Sequence, residues 1–349
     1  MTKKSDFRSD TITKPSPAMK EAMFSAPLGD DGFRDDPSVL KLEEMAAQIT
    51  GKEAALFTPS GTMANQIAVA VHTSPGDEVL IEERGHISWF EGGGAATNAF
   101  VQIRTYLLDK LSFPVEKAQA ALRMPIVDCP QMKLLCVENT LNFYGGAIWP
   151  LENLLELKEW AHSQDMTVHL DGARVFNAAV SSGKSVAEIS SSCDSLMFCL
   201  SKGLGAPVGS LLAGSKEFIA KALRVRKRLG GQMRQAGILA GAGIYALEHN
   251  VERLDDDHKL AKFIVSELEV KVPSLVLAQD RVDTNIVFYT MPDGINANEL
   301  VSQLEKDGVY ISAFSDSLVR IVTHLDVEME DGEALVNSIV KAFDNVGIC

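Results

Sequence analysis

Lys202 sits in Ser201-Lys202-Gly203-Leu204-Gly205, between an apolar run from Ser195 to Leu200 and a glycine-bearing stretch that continues to Gly209. A lysine wedged there is oddly placed for a solvating charge. Thirty-one residues earlier, Thr167-Val168-His169-Leu170-Asp171-Gly172-Ala173-Arg174 puts a carboxylate at the end of another buried run, with a cation three residues on. Catalytic groups of open α/β sheets gather at such carboxyl ends. Taken singly, each segment has a plainer explanation: Asp171 could cap the following helix, and the lysine could belong to a phosphate loop or a turn. The order fits neither GxxxxGK(S/T) nor GxGxxG, and no acidic residue follows at the dinucleotide spacing. Together, the acid and the later lysine match the needs of pyridoxal 5'-phosphate: a Schiff-base amine, and a carboxylate that keeps the pyridine nitrogen protonated so that the ring can accept electrons. The phosphate then needs a helix N-terminus with free N–H groups, and Thr58-Pro59-Ser60-Gly61-Thr62-Met63-Ala64-Asn65 offers one directly after a strand.

Those residues can meet only if their strands end on one side of one sheet. Over the first 250 residues, short apolar runs alternate with segments of helical period, the signature of an α/β fold with a mostly parallel sheet. Leu42, Met45, Ala46 and Ile49 fall at i, i+3, i+4 and i+7 and give a helix that Gly51 stops. Strands are expected at 54–57, 79–81, 101–106, 133–137, 167–170 and 195–200, and helices at 151–162, 215–228 and 235–249. From about residue 250 the pattern changes to a helix at 259–270, strands near 284–289 and 318–322, and a closing helix at 332–343. The expectation is a large cofactor-binding domain over residues 1–250 and a smaller α+β domain over 251–349.

The chain has 349 residues, enough to bury a sizeable core without covalent staples. Its 33 basic and 47 acidic side chains leave a net charge of −14, which disfavours nucleic-acid phosphates and anionic membranes as partners. No run of about 18 apolar residues and no apolar leader is present, so a cytoplasmic protein without a membrane span is expected. The cysteines, Cys129, Cys136, Cys193, Cys199 and Cys349, form an odd set without a CxxC pair or a histidine at zinc-ligand spacing. Free thiols and no metal follow.

An ordered set of motifs carries a family resemblance over essentially the whole length: Phe7-Arg8-Ser9-Asp10-Thr11, Gly29-Asp30-Asp31 with Asp36-Pro37, Pro59-Ser60-Gly61-Thr62, His86 with Glu91-Gly92-Gly93, Glu138-Asn139-Thr140, His169-Leu170-Asp171-Gly172-Ala173-Arg174, Ser201-Lys202-Gly203, Gly231-Gln232-Met233-Arg234-Gln235 and Arg320-Ile321-Val322-Thr323-His324. In these the chain resembles the low-specificity L-threonine aldolases, fold-type I pyridoxal-phosphate enzymes of the aspartate aminotransferase superfamily. The resemblance implies cleavage of L-threonine, L-allo-threonine or a related β-hydroxy-α-amino acid to glycine and an aldehyde. It makes Lys202 the cofactor's lysine, Asp171 the partner of the pyridinium, and His86 a ring-stacking acid or base. Ser60, Gly61 and Thr62 would hold the phosphate, with Lys227 and Arg234 adding charge across a subunit interface. Ser9, Arg174 and Arg320 would grip the substrate carboxylate, two guanidinium forks suiting bidentate recognition. A homo-oligomer is implied, a dimer of dimers with shared active sites.

Two positions depart from the family pattern. Leu141 stands where a histidine usually follows Glu-Asn-Thr and approaches the substrate's β-hydroxyl, and Phe33-Arg34 stands where Tyr-Gly is usual. Both lie where the substrate side chain is handled, and the apolar replacements favour bulky β-substituents over threonine. Two other readings follow from the same residues. One is β-elimination or racemisation of another amino acid in the same fold, which needs only Cα deprotonation. The other is a cofactor-binding scaffold that has lost activity through Leu141, against which Lys202, Asp171, Arg174 and Arg320 all argue.

Overall fold

The computed structural model describes residues 4–344, so Cys349 lies outside the described residues. After a two-residue strand β1 (Ser5–Asp6), the chain builds β2 (Ala54–Thr58), β3 (Glu78–Glu82), β4 (Gln102–Tyr106), β5 (Met132–Glu138), β6 (Thr167–Asp171), β7 (Ser195–Cys199) and β8 (Ser210–Gly214). These last seven form one sheet in the order β2-β8-β7-β6-β5-β3-β4. Neighbours from β7 to β4 run parallel, and β8 is antiparallel to both β7 and β2. The interior strands read as unbroken apolar runs because helices bury them on both faces; β3, β7 and β8 are buried at every residue.

Strand β8 is absent from the sequence expectation. Its Ser-Leu-Leu-Ala-Gly run follows the glycine stretch without a break, and only its partners make it a strand. Its place has a consequence for the site. The Lys202 segment is the connection between two adjacent antiparallel strands, pinned at Cys199 and at Ser210. Gly209 holds φ 109° there, and a Cβ on it would come within 2.5 Å of the Phe57 ring.

Helices begin where side chains satisfy their free N–H groups. Asp36 accepts from Ser38 and Val39 to start Pro37–Thr50, and Gly51 ends it at φ 65°. Ser60 accepts from Met63 to start Gly61–His72. Met19, Leu42, Phe57, Leu135, Trp149, Leu170 and Phe198 belong to the main core.

The later part of the chain forms β9 (Val276–Leu277), β10 (Ile286–Thr290), β11 (Val309–Tyr310), β12 (Ser312–Ser315) and β13 (Leu318–Val322). An antiparallel sheet in the order β12-β13-β10-β9 shares a second core with helices Leu254–Lys271, Ala297–Lys306 and Met329–Asp344. The N-terminal segment crosses to this side. β1 pairs in parallel with β11, Phe7 is fully buried in the second core, and the Val322 N–H donates to Phe7 O at 2.8 Å. Burying that phenyl ring stabilises the crossing by about 2–3 kcal/mol. Among the described residues no helix is long and apolar enough to cross a membrane.

Candidate active site

The carboxyl ends of β5, β6 and β7 face one pocket of about 250 Å³. Glu138 closes β5 directly opposite Asp171 on β6, and Lys202 follows β7 by three residues. Ser9, His86, Arg174 and Arg320 line the same pocket, as do Phe90, Thr140, Asn142 and Phe314. A larger surface cavity, about 820 Å³, lies around residues 122–133. Two of its cations are already matched, Arg123 with Glu78 at 2.9 Å and Lys133 with Asp165 at 2.7 Å, and none of the sheet-end residues borders it.

Asp171 is buried and held from two directions. Its Oδ1 accepts the Ala173 N–H at 3.0 Å, and its Oδ2 accepts from Asn65 Nδ2 at 2.7 Å. Asn65 is set in turn by a chain of neutral groups: its Oδ1 meets His169 Nε2 at 3.0 Å, His169 Nδ1 meets Ser195 Oγ at 2.9 Å, and that oxygen meets His72 Nε2 at 2.7 Å. Burial lowers His169 to about 3 and His72 to about 4, so neither ring carries a charge near neutral pH. With Asn65 Nδ2 donating to two carboxylates, its Oδ1 must accept, which assigns the proton of His169 to Nε2.

His86 Nδ1 lies 2.9 Å from Glu91 Oε1, and Glu91 also takes bonds from Asn65 and Gln66. Burial alone would lower the imidazole's pKa; the Glu91 hydrogen bond and the charges of Asp171 and Glu91 outweigh it and raise it. Glu138 accepts the backbone N–H groups of His86 at 2.7 Å and Asn142 at 2.8 Å. Burial, and then the nearby Asp171 charge, push its carboxyl up to about 7.

The two arginines differ. Arg174 is spent internally, since its Nε and one terminal nitrogen each donate to Asp10 at 2.7 Å in a buried fork. Arg320 has no carboxylate within ion-pair distance among the described residues. Its terminal nitrogens reach only Arg8 O at 3.1 Å and Asn142 Oδ1 at 3.4 Å, its Nε has no partner, and its guanidinium lies 4.5 Å from the Phe314 ring centroid. Burial and the Arg174 charge lower its pKa to about 10. Lys202 Nζ likewise has no hydrogen-bond or ion-pair partner among the described residues, while its backbone oxygen accepts from Thr13 at 3.0 Å. Ser9 Oγ is engaged at home, accepting from the Thr11 N–H at 3.2 Å.

Ser60, Gly61 and Thr62 begin the helix that carries Asn65. Ser60 takes the Met63 N–H through its side chain and the Ala64 N–H through its carbonyl, which leaves the Gly61 and Thr62 N–H groups for an anion. A Cβ at Gly61 would approach Met197 Cε to 2.7 Å and Cys199 Sγ to 2.9 Å, so the glycine lets the helix start directly beside the end of β7.

Seven expected residues do not line this pocket within this chain: Ser60, Gly61 and Thr62 at the neighbouring helix start, and four that lie elsewhere. Lys227 is exposed, and Arg234 is exposed and pairs with Asp30 at 3.2 Å. Phe33 is 77% exposed. Leu141 is buried in the main core, its backbone bridged to Ala147. The roles of Asp10, Asn65, Glu91 and Glu138 come from hydrogen-bond geometry. Asp10, Glu91 and Glu138 lie inside motifs that carry the family resemblance, and Asn65 three residues beyond Pro59-Ser60-Gly61-Thr62, which is the only signal sequence gives of them.

The model of the beta-eliminating lyase family matches residues 6–293. The low-specificity L-threonine aldolase of Escherichia coli K12 is 43% identical over 328 residues, covering 93% of this chain and 95% of its own. The chain belongs to the beta-eliminating lyase family, and within it to the low-specificity L-threonine aldolases. A threonine aldolase from Leishmania major shares the fold at TM-score 0.82 and 19% identity, over 97% of this chain and 99% of its own. So does SPT with its pyridoxal phosphate, at TM-score 0.76 and 18% identity over 99% and 87%. The fold-type I architecture read from the sequence is therefore the one observed. In this aldolase-family chain the shared architecture brings Lys202, Asp171, His86, Arg174 and Arg320 to one pocket.

Proposed function

We propose that this chain is a pyridoxal 5'-phosphate-dependent aldehyde-lyase that cleaves L-threonine, L-allo-threonine or related β-hydroxy-α-amino acids between Cα and Cβ, giving glycine and an aldehyde. The observation that carries the reading is the presence, in one pocket, of a lysine without a partner and a half-buried guanidinium without a carboxylate among the described residues. A cofactor aldehyde and an amino-acid carboxylate are the groups that would satisfy them.

The residues suit the cofactor. The cradle at Gly61 has no room for a side chain, two first-turn N–H groups are left for a phosphate, and the Asp171 carboxylate is oriented by Asn65 and Ala173. When bound, pyridoxal phosphate supplies a protonated ring that takes up the electrons of the breaking bond. Lys202 Nζ would anchor it, Asp171 would keep a proton at the pyridine nitrogen, and Ser60, Gly61 and Thr62 would hold the phosphate. Arg320 would bind the substrate carboxylate, helped by the Arg174 edge that Asp10 leaves unused and by Ser9. Fixing that carboxylate fixes rotation about Cα, so that the bond to Cβ can stand perpendicular to the ring. His86 would exchange the β-hydroxyl proton, as a base above its raised pKa and as an acid below it.

Lys227 and Arg234 would serve the phosphate site of a neighbouring subunit in a homo-oligomer, a dimer of dimers. What supports this is a surface pocket of about 460 Å³ beside Asp31 in which Arg224, Arg226 and Lys227 concentrate charge on an acidic chain. Sedimentation of a fully active monomer would exclude it. Among the described residues four cysteines are unpaired, three of them buried, which favours a reducing compartment, the cytoplasm. We place the boundary between the larger and smaller domains near residue 250; limited proteolysis that cuts elsewhere first counts against it.

The test of the activity is product analysis with cofactor-loaded protein and threonine. Glycine with acetaldehyde is expected. A keto acid with ammonia, or the D-amino acid, would point instead to elimination or racemisation. Borohydride reduction followed by peptide mapping should label Lys202, and a label on another lysine would overturn the site.

A further inference from the structure

We infer that Glu82 and Tyr144 are positioning residues for His86: their hydrogen bond, with a matching tie at Glu138, locks the loop that carries the imidazole to the loop that faces Arg320. The inference rests on the lyase reading above and adds two residues to the machinery of that site.

Two carboxylates stand at the ends of neighbouring parallel strands, Glu82 on β3 and Glu138 on β5. Each closes the turn of its own loop and reaches the other's. Glu82 Oε2 accepts the Arg84 N–H at 2.6 Å, and its Oε1 accepts the Tyr144 hydroxyl at 2.9 Å. Glu138 Oε1 accepts the Asn142 N–H at 2.8 Å, and its Oε2 accepts the His86 N–H at 2.7 Å. The loops after β3 and β5 are thus tied twice, once through each carboxylate. Gly85 lies between the ties, where a Cβ would come within 3.1 Å of Glu82 O and 3.9 Å of Glu138 Oε2. The second loop is fixed at its far end from the turn between β9 and β10: Gln279 donates to Gly145 O at 3.2 Å and Thr284 to Gly146 O at 2.7 Å. Between these anchors Asn142 Oδ1 meets the Arg320 guanidinium at 3.4 Å.

Glu82 is 2% exposed and does not line the pocket, so it acts through the groups it holds. Burial and the Glu82 charge push the Tyr144 phenol up, so the phenol keeps its proton and is the donor of the tie. What the ties place is the backbone of His86; Glu91 aims its ring at Nδ1. That placement matters because position 141, a buried leucine, offers no second imidazole for the β-hydroxyl proton. Proton transfer needs the heavy atoms within hydrogen-bond reach, and a misplacement of about 1 Å can cost about a hundredfold.

The experiment measures kcat and KM for threonine in cofactor-loaded wild type, Tyr144→Phe, Glu82→Leu, the double variant of these two, and Glu82→Gln. Tyr144→Phe removes one of the two ties and should lower kcat by about three- to thirtyfold, with KM changed less than about threefold. The double variant should be no slower than the slower single variant, because both remove one bond. Glu82→Gln can still meet both donors, its oxygen taking the Arg84 N–H and its nitrogen donating to the phenol oxygen, and should stay within about twofold of wild type. If Glu82→Leu fails to fold, Tyr144→Phe and Glu82→Gln carry the test. A second readout is amide hydrogen exchange, which should quicken at least threefold over residues 83–91 in Tyr144→Phe and stay unchanged over the helix Gly61–His72. A drop in kcat under threefold, a loss that falls in KM instead, multiplying effects in the double variant, a Glu82→Gln as slow as Tyr144→Phe, or unchanged exchange over 83–91 would each overturn the inference and leave the lyase reading standing. Absence of glycine from wild type with every β-hydroxy amino acid would overturn that reading, and the role of the ties in it, whatever the exchange shows.

Discussion

Replacing Asp10 with alanine would strand a buried cation. Both Asp10 oxygens accept from Arg174 at 2.7 Å, Asp10 is fully buried and Arg174 only 7% exposed, and the Arg320 charge beside Arg174 adds repulsion. Removing one partner of such a pair costs about 3–5 kcal/mol, most of it the burden of the charge left behind. Asp10→Asn, which keeps one acceptor, should cost about half as much. In the double variant Asp10→Ala with Arg174→Met the stranded charge is gone, and the loss should be clearly smaller than in Asp10→Ala alone. Urea denaturation reads all three.

The pH dependence follows from the same fork. Burial alone would raise the Asp10 carboxyl, but the charge and hydrogen bonds of Arg174 outweigh it and hold the group well below the usual carboxylate range. A group depressed on folding contributes stability that is present above its unfolded value of about 3.9 and is lost as pH falls through the lower folded value. The gap between wild type and Asp10→Ala should therefore be flat from about pH 5 to 8 and narrow only below about pH 4. Asp10 would also be a positioning residue, so KM for threonine should rise in Asp10→Ala and recover partly in Asp10→Glu. A penalty under about 1 kcal/mol at neutral pH, or a gap that closes between pH 6 and 8, would refute the reasoning.

Two further outcomes are expected. Leu141→His places an imidazole in the apolar core, costing about 1–3 kcal/mol without a partner, and kcat/KM for threonine should not rise; a tenfold gain would show that position 141 does reach the substrate. Glu138, pushed up to about 7 chiefly by burial, binds its proton more tightly in the folded than in the unfolded chain. Its contribution to stability therefore declines as pH rises from about 4.5 towards 7. Glu138→Gln should remove that decline and be the more stable protein at pH 8, and urea midpoints that show the opposite slope would exclude the assignment.

How much of this was legible in the sequence depended on which physical term decided each residue. Strands β3, β5, β6 and β7 were readable because burial on both faces leaves unbroken apolar runs, and Lys202 and Asp171 because strand ends place them. β1 was not, since Ser5–Asp6 is polar and becomes a strand only by pairing with β11, some three hundred residues on. Direction along a helix was equally hidden. Lys227 and Arg226 are neighbours in one basic run, yet Lys227 faces out while Arg226 is buried, donating to Phe57 O and pairing with Asp31, both at 2.7 Å. The Phe33-Arg34 departure shows the same limit. The resemblance places it where substrate side chains are handled, but Arg34 takes φ 59°, a left-handed conformation that suits glycine and costs other residues about 1–2 kcal/mol. Its guanidinium turns inward to Asp31 at 3.0 Å and to Glu43, the carboxylate that also accepts the Phe57 N–H. Arg34 and Arg226 thus share Asp31, and the cation that replaces the family's glycine is consumed in holding the loop at 29–36 against β2, which leaves Arg320 and Lys202 as the pocket's unpaired positive charges.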